Sequence, residues 1–143
     1  MRIIIIGSVA AGTSVAAKAR RNSEDCEIVM YEKDRDISYS ACGLPYYIGQ
    51  NDIERSNLTP RDECWFKKRF NIDVRTGHEV LRIDPSKQSI EVKDYHTGEI
   101  FEDFYDKLVI ATGAKPIKPD IKGIDSNNVF TVRNIESADK IVG

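Results

Sequence analysis

The sequence predicts an α/β domain, with a parallel sheet built around a strand–helix–strand unit and joined to an antiparallel β-meander. Three observations lead there. Ile3 to Ile6 is an unbroken β-branched run, which reads as a strand buried on both faces as in a parallel sheet. Thr13 to Arg21 is alanine-rich and free of proline and glycine, and Glu27 to Tyr31 follows as a second short apolar strand. From Ile72 onward the apolar period changes to two.

Taken in order, the first strand is interrupted at Gly7, and the helix after it ends in Lys18, Arg20 and Arg21, cations that suit the negative end of the helix dipole. Beyond Lys33 a polar connection leads into Ser38 to Gly49. There Cys42, preceded by Ser38 and followed by Gly43 and Pro45, is expected in a constrained turn rather than a strand. Thr59, Pro60 and Asp62 read as an N-cap, a proline at the first helical position and a reciprocal acid, opening a helix through Trp65 and Phe66 towards Phe70. The period-two segments Ile72–Arg75, Val80–Ile83, Ser89–Lys93 and Glu99–Glu102 read as one antiparallel meander. Leu108 to Ala111 reads as another buried strand, ending at Thr112-Gly113 before a tail bearing Pro116 and Pro119.

The chain's 143 residues fit one domain, residues 1–143, long enough to bury a real core. Charged residues make up 31% of the sequence, yet the net charge is only −2 because acids and bases are interspersed, so no nucleic-acid partner is expected. The basic run Lys67-Lys68-Arg69 reads as a solvated helix face. No run approaches the roughly 18 apolar residues of a spanning helix, so no membrane partner is expected and the localisation reads as cytoplasmic. Cys26, Cys42 and Cys64 are an odd number at unrelated spacings, which suggests reduced thiols; Cys26 and Cys64 are expected to pack in the interior. His78 and His96 are too far apart in sequence to suggest a metal site, and none is assigned.

Two features point to a nucleotide. A G-x-G-x-x-G turn would put glycines at positions 7, 9 and 12; the sequence has Gly7, Val9 and Gly12, with Ser8, Ala10 and Ala11 between them. The turn follows a buried strand and opens a helix, whose amino-terminal amides favour a pyrophosphate. Glu32 ends the second strand about twenty residues after Gly12, where an acid can accept from ribose hydroxyls. A tight turn beside a surface glutamate is the alternative. Ile110 to Gly113 offers small residues for close backbone approach at the sheet's carboxyl edge. The spacing alone does not separate FAD from NAD.

Ser38-Tyr39-Ser40-Ala41-Cys42-Gly43-Leu44-Pro45-Tyr46-Tyr47-Ile48-Gly49 resembles the redox-cysteine signature of FAD-dependent pyridine nucleotide-disulfide oxidoreductases of the single-cysteine group. That group comprises coenzyme A-disulfide reductases, persulfide reductases and NADH oxidases. The Gly7-to-Gly12 turn, Tyr31-Glu32-Lys33, Leu58-Thr59-Pro60, His78-Glu79-Val80 and Tyr105-to-Ala114 fall in family order, so the resemblance spans the chain. It implies a Rossmann-like FAD-binding domain. Gly7, Ser8, Val9, Ala10, Ala11 and Gly12 would cradle the pyrophosphate, with Glu32 on the adenosine ribose and Lys33 beside it. Val80 would meet the adenine through its backbone, and Ile110, Ala111, Thr112, Gly113 and Arg133 would line the cofactor.

Cys42 would be the catalytic nucleophile, with NAD(P)H as hydride donor and a small disulfide or persulfide as substrate. Ser14, Lys18, Arg21 and Ser38 stand where the family touches coenzyme A, although solvation of the helix end accounts almost as well for the two cations. Ala10 replaces the histidine of relatives that reduce peroxide or oxygen, and Ala41 replaces the asparagine usual before the cysteine. An NADH oxidase relative and a non-catalytic flavin or nucleotide module remain the alternatives. Family members continue into NAD(P)H-binding and dimerisation domains and form homodimers. This sequence stops at Ile141-Val142-Gly143, so the chain by itself is expected to be inactive as an NAD(P)H-dependent reductase.

Overall fold

A computed structural model describes residues 1–50 and 52–143. In chain order the elements are β1 (Arg2–Ile6), α1 (Ala10–Asn22), β2 (Glu27–Tyr31), a 3₁₀ turn (Ala41–Gly43), α2 (Leu44–Gly49), α3 (Arg55–Leu58), α4 (Glu63–Phe70), β3 (Asp73–Arg75), β4 (His78–Asp84), β5 (Ser89–Asp94), β6 (Ile100–Phe104), β7 (Lys107–Ile110) and α5 (Ile135–Val142). They fall into two compact units. Met1–Ser38 with Arg61–Thr112 makes the first, and Tyr39–Pro60 with Gly113–Gly143 the second.

The first unit holds a parallel sheet in the order β3-β2-β1-β7 and an antiparallel sheet in the order β4-β5-β6. Because successive strand residues face opposite sides, β1 feeds two cores. Ile3 and Ile5 pack with Ala16 of α1, Ile28, Met30, Phe66 and Ile72 on one face. Ile4 packs with Val29, Tyr31, Ile90 and Val92 on the other. Ile4 and Ile5 are fully buried, each a gain of about 1.5–3 kcal/mol over exposure. The meander is thus the second cover of the parallel sheet, and a polar clamp fixes it there. Asp103 of β6 accepts from the Tyr31 hydroxyl at 2.6 Å and from Arg2 Nη2 at 2.7 Å. Burial and the bond to Asp103 push the Tyr31 phenol far above its ordinary pKa.

Several expectations about the elements are corrected. The helix expected from Thr59 starts later, because the Asp62 carboxylate, not Thr59, accepts from the Trp65 amide at 2.8 Å and caps α4. Asp73–Arg75 does not join the meander; it pairs in parallel with Val29–Tyr31 and forms the edge of the first sheet. The apolar strand ending at Ile110 is not buried. As β7 it has a partner on one side only, and Ile110 is 64% exposed.

In the second unit α2 and α5 pack together, with Leu44, Leu58, Ile135 and Ala138 buried. Asp139 of α5 accepts from the Tyr47 hydroxyl at 2.9 Å and from Arg55 Nε at 3.2 Å. Cys42 lies in a 3₁₀ turn rather than a strand, as expected, and the stretch after it is helical. Pro45 sits in the first turn of α2, where its missing N–H costs nothing, and so starts a helix rather than breaking one.

Candidate functional site

In the first unit, β1 runs straight into the turn at Gly7, which has a φ of +99° and would place a Cβ 2.3 Å from the Ala111 carbonyl oxygen. A Cβ on Gly12 would stand 1.8 Å from the Gly7 oxygen. The two glycines therefore let three backbones meet: the turn, the first turn of α1 and the end of β7. The Ala111 amide donates to Ile6 O at 2.8 Å and holds that strand end against the turn. The result is a backbone-walled cradle at the carboxyl edge of a parallel sheet.

The start of α1 opens on this cradle. Val9 stands at the N-cap position, with no side chain capping the helix and no acid in its first turn. A 13-residue helix with uncapped amino-terminal amides offers unpaired N–H groups and the positive end of its dipole. That is what a pyrophosphate requires.

Glu32, 8% exposed, is the anionic group beside it. Its Oε2 accepts from the Ser8 amide at 2.9 Å and the Ser8 hydroxyl at 3.0 Å, while Oε1 accepts from the Asp34 amide at 3.1 Å. Ser8 is fully buried and its carbonyl accepts from the Ser38 amide at 2.9 Å. Glu32 thus holds the shape of the turn; Oε2 already accepts two bonds, and Oε1, with one lone pair still free, retains accepting capacity for a diol. The sequence placed Glu32 near a ribose; its bracing of Ser8 went unforeseen, because a bond across strands shows only in three dimensions.

Val80 lies on β4 with its side chain against the inner meander core. The pairing register shifts between Val80 and Arg82, a bulge that frees backbone groups beside it. Lys33 is exposed. Ser14, Lys18 and Arg21 recur at helical spacing on α1 and are all exposed, so they form one polar face. Their neighbour Arg20, which sequence reasoning treated only as a dipole partner, has a different role. Its guanidinium donates to Phe70 O at 2.7 Å and Asn71 O at 2.9 Å, tying α1 to the carboxyl end of α4.

In the second unit, exposed Cys42 occupies the 3₁₀ turn leading into α2. Gly43 is wedged between Leu58 and Ser40; a Cβ there would approach Leu58 Cδ2 to 2.8 Å. The Ser40 amide donates to Leu58 O at 2.9 Å, so the cysteine turn rests on the end of α3. Arg133 lies against Gly113, whose φ is +70° and whose hypothetical Cβ would meet Arg133 Nη2 at 2.4 Å. The Arg133 guanidinium donates to Ala114 O at 2.6 Å and to the Tyr39 hydroxyl at 3.2 Å. Arg133 and Gly113 are therefore brought together as one piece of backbone recognition.

Cys26 is buried as expected, its thiol donating to Ser23 O at 3.2 Å. Cys64 is not: it is exposed on the outer face of α4, because Phe66 takes the inward position of that short helix. The sequence distance that argued against a metal site also disappears on folding. β4 and β5 pair His78 with Asp94, and the turn after Asp94 returns the His96 ring to 6.0 Å from that of His78. Among the described residues no helix is long and apolar enough to cross a membrane.

Comparison with known proteins extends the geometry. The family model described as pyridine nucleotide-disulphide oxidoreductase matches residues 1–142. The coenzyme A disulfide reductase of Staphylococcus haemolyticus is 42% identical over 140 residues, covering 98% of this chain and 31% of that protein. The crystal structure of reduced Bacillus anthracis CoADR-RHD superposes with a TM-score of 0.93 at 43% identity, over 99% of this chain and 26% of that one. An NAD-dependent persulfide reductase from A. fulgidus gives 0.91 at 41% identity, over 99% and 27%. The chain thus spans under a third of the length of these relatives.

Proposed function

Since the chain belongs to the pyridine nucleotide-disulphide oxidoreductase family, we propose that it is the FAD-binding portion of an NAD(P)H-dependent reductase that exchanges disulfides through Cys42. The observation that carries the cofactor reading is the Gly7–Gly12–Ala111 cradle facing the uncapped start of α1 with Glu32 beside it. These residues fit FAD: the cradle and helix amides take the pyrophosphate, Glu32 the adenosine ribose, and the bulged backbone at Val80 the adenine edge. Ile110, Ala111, Thr112, Gly113 and Arg133 would line the rest. When bound, FAD supplies the two-electron relay between a nicotinamide and sulfur.

The chain's own chemistry is at Cys42. Its thiolate attacks one sulfur of a small disulfide, the substrate S–S bond breaks, a thiolate leaves, and Cys42 is left in a mixed disulfide. Exposure in a turn held by Gly43 and Leu58 gives the sulfur the access that in-line attack needs. The substrate proposed first is coenzyme A disulfide or the persulfide, with Ser14, Lys18, Arg21 and Ser38 as the contacts. The two cations on the exposed face of α1 suit phosphates, and Ala10, in place of a histidine, offers no proton donor for peroxide.

This exchange can be read on the chain as it stands. Reduced protein is mixed with coenzyme A disulfide or glutathione disulfide, and the adducts are located by mass spectrometry. The proposal expects a coenzyme A adduct on Cys42, formed faster than the glutathione adduct and slowed in a Lys18→Ala/Arg21→Ala variant. Equal rates for the two disulfides, or adducts chiefly on Cys64, would remove the coenzyme A reading.

A further inference from the structure

The end of the meander at which β4 begins carries a group of side chains that the nucleotide reading does not use. We propose that His78, Asp94 and His96 form a binding site for a divalent cation of the zinc class. One potential ligand atom from each lies within 4.8 Å of the others. The β4–β5 register sets His78 opposite Asp94. Gly77, with a φ of +66°, lets the His96 ring close over the backbone, since a Cβ there would stand 2.5 Å from His96 Nε2.

The hydrogen bonds decide which ring nitrogens are left as acceptors. The Thr76 carbonyl oxygen lies 2.7 Å from His78 Nδ1 and 3.1 Å from His96 Nε2. A carbonyl carries no proton, so both of those ring nitrogens are donors. In the neutral rings His78 Nε2 and His96 Nδ1 then carry the lone pairs. A second ring nitrogen donated to a backbone carbonyl is the usual outer support of a metal-bound imidazole.

Asp94 is equally fixed. Its Oδ1 accepts from the His96 amide at 2.7 Å and its Oδ2 from the Thr97 hydroxyl at 2.9 Å. Oδ2 also faces His78 Nε2 at 3.7 Å. Two acceptors that face each other at that range, one of them anionic, are a place for a cation. His78 is held there by the rings of Tyr31 and Phe101, at centroid distances of 6.1 Å and 6.2 Å.

Two imidazoles and one carboxylate suit Zn²⁺ and its first-row neighbours, whereas Mg²⁺ and Ca²⁺ demand oxygen-rich shells. Tetrahedral bonds of about 2.0–2.2 Å put ligand atoms roughly 3.3–3.6 Å apart. The cluster therefore needs to close by about 1 Å, a side-chain rotation available to exposed His96. A fourth position stays open to water. The site uses none of the side chains assigned to the flavin or to sulfur exchange, although the His78 amide donates to the Glu32 carbonyl oxygen at 2.9 Å.

The test titrates the metal-free full chain with Zn²⁺ by calorimetry and with Co²⁺ by visible absorption. The three cysteines are the competing ligands, and thiolate–cobalt charge transfer in the near ultraviolet reveals them. The expected result is one equivalent bound, cobalt d–d bands without that charge-transfer feature, and an affinity loss of at least about tenfold in both His96→Ala and Asp94→Asn. His96 is exposed, so its removal leaves the core intact, and circular dichroism checks this for both variants. Absence of stoichiometric binding, a thiolate band, or unchanged affinity in His96→Ala would overturn the site.

Discussion

Replacing Glu32 tests whether the nucleotide turn is braced by one buried carboxylate. Three donors converge on it: the Ser8 amide and hydroxyl on Oε2, and the Asp34 amide on Oε1. In Glu32→Gln the amide oxygen can keep the two Ser8 donors only by turning its NH₂ toward the Asp34 N–H, donor against donor. One partly buried donor is then unsatisfied, at about 1–3 kcal/mol. In Glu32→Ala all three lose their acceptor. Water can reach half-buried Asp34, but Ser8 is fully buried, so its two donors alone cost roughly 2–6 kcal/mol. Urea unfolding without flavin should rank wild type above Glu32→Gln and Glu32→Ala last, and a thermal scan should find the Gln variant melting about 2–4 °C lower for each kcal/mol lost. A Glu32→Gln variant as stable as wild type would show that the carboxylate serves only a ligand and does not hold the turn.

Other expectations follow from single contacts. Arg20→Ala removes a guanidinium bound to Phe70 O and Asn71 O and should cost about 2–3 kcal/mol, whereas Arg21→Ala, on the exposed face, should stay within about 0.5 kcal/mol in the same unfolding assay. Burial alone would raise the Asp103 carboxyl's pKa, but bonds from Tyr31, Arg2 and the Phe104 amide outweigh it and hold the group below the ordinary carboxylate value. Its stabilising effect is therefore complete above the unfolded pKa of about 3.9 and fades as pH falls below it, so the stability gap between wild type and Asp103→Asn should be constant above about pH 5 and shrink in more acidic urea titrations. Native-state alkylation followed by mass spectrometry should modify Cys42 and Cys64 readily while Cys26, 3% exposed, reacts only after denaturation; fast native labelling of Cys26 would mean that the start of β2 opens.

The parts of the fold that were legible in the sequence are those where one residue type answers one question. A β-branched run such as Ile3 to Ile6 has few places to go but a doubly covered strand, and Glu27 to Tyr31 was bounded to the residue. Alternation reveals which face a strand buries but not the direction of its partner, so Asp73–Arg75 was grouped with the meander although it runs parallel to β2. Hydropathy states what a strand can bury, not what covers it; hence Ile110 read as buried while lying on an edge. With two capping candidates close together, the acid that reaches the Trp65 amide prevailed over the threonine before the proline. The glycine turn was legible because two positions tolerate no Cβ. The Glu32–Ser8 brace, the Arg20 anchor and the His78–Asp94–His96 group depend on strand register and helix docking, which no local pattern encodes.

The central claim is that the first unit grips the adenosine diphosphate half of FAD, and competitive equilibrium titration of the chain tests it most directly. FAD, ADP and FMN are each titrated against wild type and Glu32→Gln, with binding followed by calorimetry. The account predicts that FAD and ADP compete for one site, that FMN does not enter it, and that both FAD and ADP weaken in parallel in Glu32→Gln. Displacement of FAD by FMN, or FAD binding indifferent to Glu32, would contradict it.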